Sequence, residues 1–442
     1  MKQRLYLHMC FYVIVLMCFI SCASTSSQKS TEDTRSEKQI LIQKFLANPS
    51  DVKALVDLGV LAIDISKCRA AQLLFSRSAQ LDPENPKITF YHAMSLECSG
   101  KESEAMAIYG NYKNISSSSP YRNLMEGRYR LLTRKKIRAE MQALLAQESM
   151  LGIENISPNA IAIFPLSYQG DNQEYETLGR GISEMMITDL SQLPDLQLIE
   201  RVRLQALFEE ITLGQTGLVD ETYIPRYGKL LGAGRIVNGV YSILDEEDLR
   251  VDVEMWDMIY GQEPLEATRT DNLARLFMLE KQMVFGIIDE MGIELTQEQR
   301  DQIMYVPTKN LQAFMDYCRG LAQEDAGNFL EATMFYQSAA TLDPDFTQAQ
   351  QRAHENETLL EAGHDIVEIV ENVKRIDRRR MEARGPAPLV GNRLQHLSNN
   401  LGSNFVPGQD TREAVEELTS AGVELRDNLP APPDPPTRRN QK

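Results

Sequence analysis

Across residues 198–242 the spacing of apolar side chains changes period twice. Val202, Leu207, Phe208 and Ile211 recur at helical spacing and predict a helix that buries one stripe. Gly214 and Gly217 punctuate the chain after it, and Asp220 stands at the N-cap position of a second helix over 221–231. Gly232 and Gly234 end that helix, and the β-branched run 236–244 predicts a strand. Upstream, 160–166 reads as a buried strand and 180–193 as a helix with Ile182, Met185, Met186 and Leu190 on one face. A second strand follows over 196–199. Downstream, Leu249, Val251, Val253 and Met255 alternate with Arg250, Asp252 and Glu254, the pattern of a half-buried antiparallel strand. A partner strand is expected over 265–270, and Asn272 caps a helix reaching Met291. Together these predict an α/β domain over 156–304, a mixed sheet with flanking helices.

Elsewhere the period is that of paired helices. Leu58-Gly59, then Ala71 and Phe75, then Leu81-Asp82-Pro83 are followed 34 residues after Ala71 and Phe75 by Ala105 and Tyr109. A further unit lies downstream, with Gly320, Ala332, Tyr336 and Leu342-Asp343-Pro344. Small residues let helices cross closely, a large ring fills the gap, and proline stops the second helix. The spacing is similar to the tetratricopeptide repeat, which implies all-α hairpins over 39–115 and 308–362 and a protein-binding surface built around these positions. A generic helical hairpin is the alternative. Residues 120–150 read as a charged helical connector, and 363–384 as a helix with a basic run from Lys374 to Arg384. That run reads as a solvated helix end, with an acidic or phosphate-rich partner as the other option. The Pro-rich tail, 385–442, includes LPAPPDPP and is expected to be mostly disordered, with a weak amphipathic helix over 411–425.

The first segment bears on location. Lys2 and Arg4 precede the apolar stretch 5–20, too short and wrongly flanked for a membrane span. Phe19-Ile20-Ser21-Cys22 resembles a lipobox, which implies a signal peptide over 1–21, lipidation at Cys22 and a Ser/Thr-rich tether over 22–38. No aspartate follows Cys22, which implies an anchor on the periplasmic side of a bacterial outer membrane. A plain signal peptide or an uncleaved anchor is the alternative.

The net charge of −17 over 442 residues argues against nucleic acid or an anionic membrane surface as the main partner. Residues 156–304 contain neither histidine nor cysteine, which removes the usual zinc sites and the Ser-His and Cys-His dyads from that domain. The five histidines, His8, His92, His354, His364 and His396, form no ligand pair. Gly179-Arg180-Gly181, ahead of the expected helix, lacks the dinucleotide fingerprint and reads as a structural turn rather than an anion site. Asp245-Glu246-Glu247-Asp248 lacks the spacing of a calcium loop and reads as a solvated hairpin turn. Cys68 and Cys98 end the first helices of successive repeats, where an oxidising periplasm would permit a disulfide, leaving Cys318 as a buried thiol. No cofactor, metal or catalytic constellation is expected, so the chain reads as non-enzymatic.

The stretch 198–242 resembles the curli production assembly/transport (CsgG-like) family. The residues that carry the likeness are Glu200-Arg201, Leu204 and Leu207, then Gly217-Leu218-Val219-Asp220, Gly228-Lys229-Leu230-Leu231-Gly232-Ala233 and Gly239, and it extends over residues 159–302. The resemblance implies a periplasmic α/β domain working by binding envelope proteins or by forming a homo-oligomer. It implies an assembly, secretion-accessory or scaffold factor, with a secretion-channel subunit and an activator of a peptidoglycan synthase as the other options. A β-barrel pore needs inserted hairpins with strands of about nine to eleven alternating residues. Leu244 and Leu249 are parted only by the acidic turn, and Met258 and Leu265 only by a short loop, which counts against the channel.

Overall fold

The structure, a computed structural model, describes residues 39–211, 223–245, 247–261, 264–363 and 365–384. The expected signal peptide, Cys22, the tether, Gly214, Gly217, Leu218, Val219, Asp220, Glu246, His364 and the tail 385–442 lie outside the described residues. Two compact units divide between Asn372 and Val373.

The first unit opens with helices. α1 covers residues 39–47 and buries Phe45. α2 (Val52–Asp64) starts where the Asp51 side chain accepts from the backbone N–H of Lys53 at 2.9 Å, satisfying a donor no helical carbonyl can reach. α3 (Cys68–Leu81) ends ahead of Pro83. α4 (Pro86–Cys98) has Pro86 in its first turn and Asn85 as its cap. It buries Ile88, Phe90, Tyr91, Ala93 and Met94 around most of its circumference, because α3, α5 (Glu102–Tyr109) and α6 (Pro120–Ala146) all pack on it. α6 has 27 residues, about 40 Å at the α-helical rise.

The sheet domain follows. β1 (Ser157–Ile163) and β2 (Ser167–Tyr168) precede α7 (Leu178–Leu190) and β3 (Gln197–Leu198). Then come α8 (Arg201–Ile211), α9 (Ile224–Leu231), β4 (Ala233–Leu244), β5 (Asp248–Asp257) and β6 (Leu265–Asn272). The sheet order is β3-β1-β4-β5-β6, with β2 beside β4. β1 runs parallel to β3 and β4, whereas β4, β5 and β6 form an antiparallel meander. Gly232 takes a left-handed φ of 67° at the end of α9, which lets the chain turn straight into β4.

Helices cover both sheet faces. On one, Ile161, Ile163, Val237, Tyr241, Leu249, Val251 and Val253 meet α7 and α10 (Leu276–Glu290). On the other, Ala160, Ala162, Phe164, Ala233 and Ile236 meet α8, α9 and Met141 of α6. α11 (Gln297–Ile303) then leads through α12 (Leu311–Asp325), α13 (Phe329–Leu342) and α14 (Thr347–Ala362) to α15 (Ile366–Arg384). Phe314, Tyr317, Cys318, Tyr336 and Phe346 from this downstream hairpin belong to the same core cluster as the first sheet face. No break in packing therefore lies between 304 and 308. α6 packs on α14 as well as on α8, so the stretch expected as a connector joins the two sets of helices. Of the second unit, residues 373–384 are described and are helical.

Several expectations are corrected. The described part of the second helix of the organising stretch runs from Ile224 to Leu231, with Pro225 in its first turn, and the expected start at 221 lies outside the described residues. The strand after it starts at Ala233 and includes Gly234. The helix expected over 180–193 runs from Leu178 to Leu190 and takes Gly179-Arg180-Gly181 into its first turns. In α8 the buried positions are Leu204, Ala206 and Leu207, while Val202, Phe208 and Ile211 are half-buried, because only the face turned to the sheet and α6 is fully covered. Cys68 opens α3 rather than ending the first helix.

Candidate protein-binding scaffold

The repeat positions form helix crossings. A Cβ on Gly59 of α2 would stand 2.6 Å from the Phe75 ring of α3, and a Cβ on Gly320 of α12 would stand 2.6 Å from the Tyr336 ring of α13. Glycine is required at both because the ring already occupies the space a methyl would need. Leu58, Ala71, Phe75, Ala105, Tyr109, Ala332 and Tyr336 are completely buried, and Gly59 and Gly320 are buried too. These nine residues hold the helices together, so side chains other than these face any partner. The apolar side chains α13 leaves exposed are Leu330 (56%) and Met334 (63%), one turn apart, and Leu342 (43%) near the end of the helix.

A second repeated feature was missed in the sequence. The Tyr109 hydroxyl donates to Glu97 Oε2 at 3.1 Å, and the Tyr336 hydroxyl donates to Glu324 Oε2 at 2.8 Å, each across twelve residues. An arginine from a later helix meets each carboxylate: Arg128 pairs with Glu97, and Arg352 Nη1 lies 3.4 Å from Glu324 Oε1. A glutamate twelve residues before each repeat tyrosine is the sequence signal that would have disclosed it. Burial, then the neighbouring carboxylate, pushes both tyrosine hydroxyls well above their ordinary range.

Around Glu324 the sheet domain and the downstream hairpin lock together. Arg134 of α6 donates to Glu324 Oε1 at 2.7 Å. Arg201, the second residue of the Glu200-Arg201 pair, donates from Nη2 to the Leu321 carbonyl at 2.8 Å and to Asp325 Oδ1 at 2.5 Å. Arg180 Nε reaches Asp325 Oδ2 at 3.2 Å, and Gln205 Nε2 reaches the Asp325 carbonyl at 3.3 Å. Residues of α7 and α8 thus satisfy the C-terminal turn of α12, where unpaired carbonyls and the helix dipole favour positive charge. Burial alone would raise the Glu324 carboxyl, but the guanidinia of Arg352, Arg201 and Arg134 and the Tyr336 hydroxyl hold it well below the usual carboxylate range. Burial works against the Arg201 charge, and Asp325 and Glu324 more than restore it.

The other resemblance-carrying residues shape the backbone. The Glu200 carbonyl receives the N–H groups of Arg203 and Leu204 at the start of α8. Leu204, Leu207, Leu231 and Ala233 lie in the core beneath the second sheet face. A Cβ on Gly228 would stand 2.7 Å from Met258 Cγ, and one on Gly239 would stand 2.4 Å from the Asp252 carbonyl of β5. In the first turns of α7, Gly179 admits the Leu166 carbonyl and Gly181 admits Cys318 Sγ. Asp245 and Glu247 lie in the β4–β5 hairpin turn. Cys68 and Cys98 are joined by a disulfide with their Cα atoms 5.4 Å apart, and Cys318 is a buried free thiol. Among the described residues no group of three His, Cys, Asp or Glu side chains is placed to hold a metal.

Residues 136–248 match the family described as curli production assembly/transport component CsgG. The match begins within α6, upstream of the 159 expected, and stops at the first residue of β5, short of 302. No curated protein matches the chain. Among solved structures, the crystal structure of the yeast Tom70 resembles it at 14% identity over 88% of this chain and 75% of that chain, with a TM-score of 0.19, a likeness too slight to bear on the fold.

Proposed function

We propose that this chain is a non-enzymatic lipoprotein, anchored through Cys22 on the periplasmic side of a bacterial outer membrane, that serves as an assembly or scaffold factor. The observation that carries the reading is the Arg201–Asp325 junction, which binds the CsgG-matching segment to the helical hairpin in one packed body. A binding surface on the helices is thereby held rigidly relative to the sheet domain. The partner surface we assign is the Leu330 and Met334 pair of α13, because these two large apolar side chains stand exposed one turn apart.

A channel subunit is the weaker reading. β4 ends at Leu244 and β5 begins at Asp248, so nearly all of both strands is committed to the sheet and the three residues between them cannot supply a barrel hairpin.

The test is native mass measurement and negative-stain imaging of the full chain extracted in detergent. A monomer or small oligomer with detergent confined to the anchor supports the scaffold. A closed ring of many copies with a detergent belt overturns it in favour of the channel. Labelled palmitate incorporated by the wild type and not by Cys22→Ala tests the anchor.

A further inference from the structure

Lys281 lies on α10 and is 2% exposed; its neighbour Glu280 is wholly buried, and Asp189, facing them from α7, is 6% exposed. Lys281 Nζ is 2.5 Å from Asp189 Oδ2 and 3.3 Å from Glu280 Oε2. The longer contact is an ion-pair distance without hydrogen-bond alignment, and neither Glu280 oxygen has a hydrogen-bond partner. An amine, a carboxylate and a second carboxyl group therefore converge in a site almost wholly closed to bulk solvent. A cavity of about 20 Å³ borders both Asp189 and Lys281, room for one water molecule. None of this serves a binding surface, and a buried ion pair with an extra acid is a costly way to hold two helices together.

We propose that Lys281 and Asp189 condense into an intramolecular amide bond joining α10 to α7, with Glu280 relaying the protons. The ammonium first passes a proton to the Asp189 carboxylate, giving an amine and a carboxylic acid. The Nζ lone pair then attacks Asp189 Cγ and forms the N–C bond. Glu280 protonates the departing hydroxyl as the C–O bond breaks, and one water leaves towards the adjoining cavity. The Glu280 carboxylate takes the surplus proton from nitrogen and is regenerated. The sum is one ammonium and one carboxylate giving one amide and one water, with no oxidation and no co-reactant.

Four physical points support the step. Burial, and then the charge of Asp189, push the Glu280 carboxyl well up, which favours its proton-donating form. Burial also raises Asp189 despite the opposing effect of Lys281. Groups fixed in contact react with effective molarities on the order of 10⁵–10⁸ M when well oriented. Exclusion of water favours the neutral amide over the ion pair it replaces.

Peptide mapping of the reduced full chain decides the matter. The expected result is a branched tryptic peptide joining Asp189 to Lys281, lighter than its two parts by one water and uncleaved after Lys281. Asp189→Asn should form the same link with loss of ammonia instead. Glu280→Gln, which keeps the shape, should yield the two peptides separately while circular dichroism stays that of the wild type. Separate peptides in the wild type, with cleavage after Lys281, overturn the bond. A Glu280→Gln chain linked as fully as the wild type overturns the relay.

Discussion

The Tyr336 hydroxyl donates to Glu324 Oε2 across 2.8 Å in a site that is almost wholly buried. This carboxylate also gathers Arg134, Arg201 and Arg352 from three different helices. It is the point at which α6, α8, α12, α13 and α14 are fastened together. Replacing Glu324 by alanine leaves the guanidinia without their shared partner. The expected loss is about 3–5 kcal/mol, the usual cost of breaking a buried pair from one side, read as a fall in the urea midpoint.

The same residue sets a pH dependence. Its folded pKa is depressed below the ordinary 4.5, so its stabilisation is present above that unfolded value and is lost as pH falls towards the folded one. The stability difference between wild type and Glu324→Gln should therefore be flat from pH 7 down to about 5 and should shrink at more acid pH. Denaturant titrations at several pH values check this. A difference that shrinks between pH 7 and 5 would mean that Glu324 does not carry the linkage.

Gly59 and Gly320 should respond alike to one added methyl. Each alanine Cβ would enter an aromatic ring that is itself completely buried and has little room to yield. Overpacking of this kind costs about 1–3 kcal/mol. Gly100→Ala is the useful contrast: nothing lies within 4 Å of its Cβ, and its cost should come from the positive φ of 76° alone. Thermal melts of the three variants separate steric from backbone strain.

What the sequence disclosed and withheld follows from the range of the forces involved. The Gly320–Tyr336 crossing was legible because both partners belong to one hairpin, and small and large residues must recur at the spacing the helices impose. The alternation of β5 was legible because only one of its faces is covered. Arg201 reads in the sequence as the end of a strand but opens α8, and its acceptor, the Leu321 carbonyl, is 120 residues away and leaves no local trace. Glu280 and Lys281 mislead for the opposite reason. Charged residues inside a helix normally mark its solvent face, yet both are buried here, Lys281 against Asp189 of α7 and Glu280 beside Lys281 itself.

Reduction of the Cys68–Cys98 bond should loosen the first repeats selectively. The bond joins the start of α3 to the end of α4 across a separation of 30 residues, so it restricts the unfolded chain over that span. A native disulfide of this reach contributes about 2–4 kcal/mol. Hydrogen exchange in α2, α3 and α4 should quicken in reductant, and equally in Cys68→Ser, while β1 and β4 keep their protection. Uniform loss of protection across the sheet would mean that the bond stabilises the whole unit.

Gly127 is the residue on which the contact between α6 and α14 turns. A Cβ there would stand 1.9 Å from the Thr358 carbonyl and 2.6 Å from the Ala362 Cβ, and a main-chain atom cannot move aside as a side chain can. Gly127→Leu should therefore prise α6 from α14. It would also pull Arg128 away from its 2.6 Å bond to the Gly363 carbonyl and disturb the nearby pairing of Arg130 with Glu355. The sheet core built by β1, β4, α7 and α10 does not include this contact and should stay folded. Limited proteolysis should cut the variant in α14 at protease concentrations that leave the wild type intact, with near-ultraviolet signals from the sheet-domain aromatics retained. If α14 stays as resistant as in the wild type, the helices before and after the sheet domain are held together by something other than this crossing.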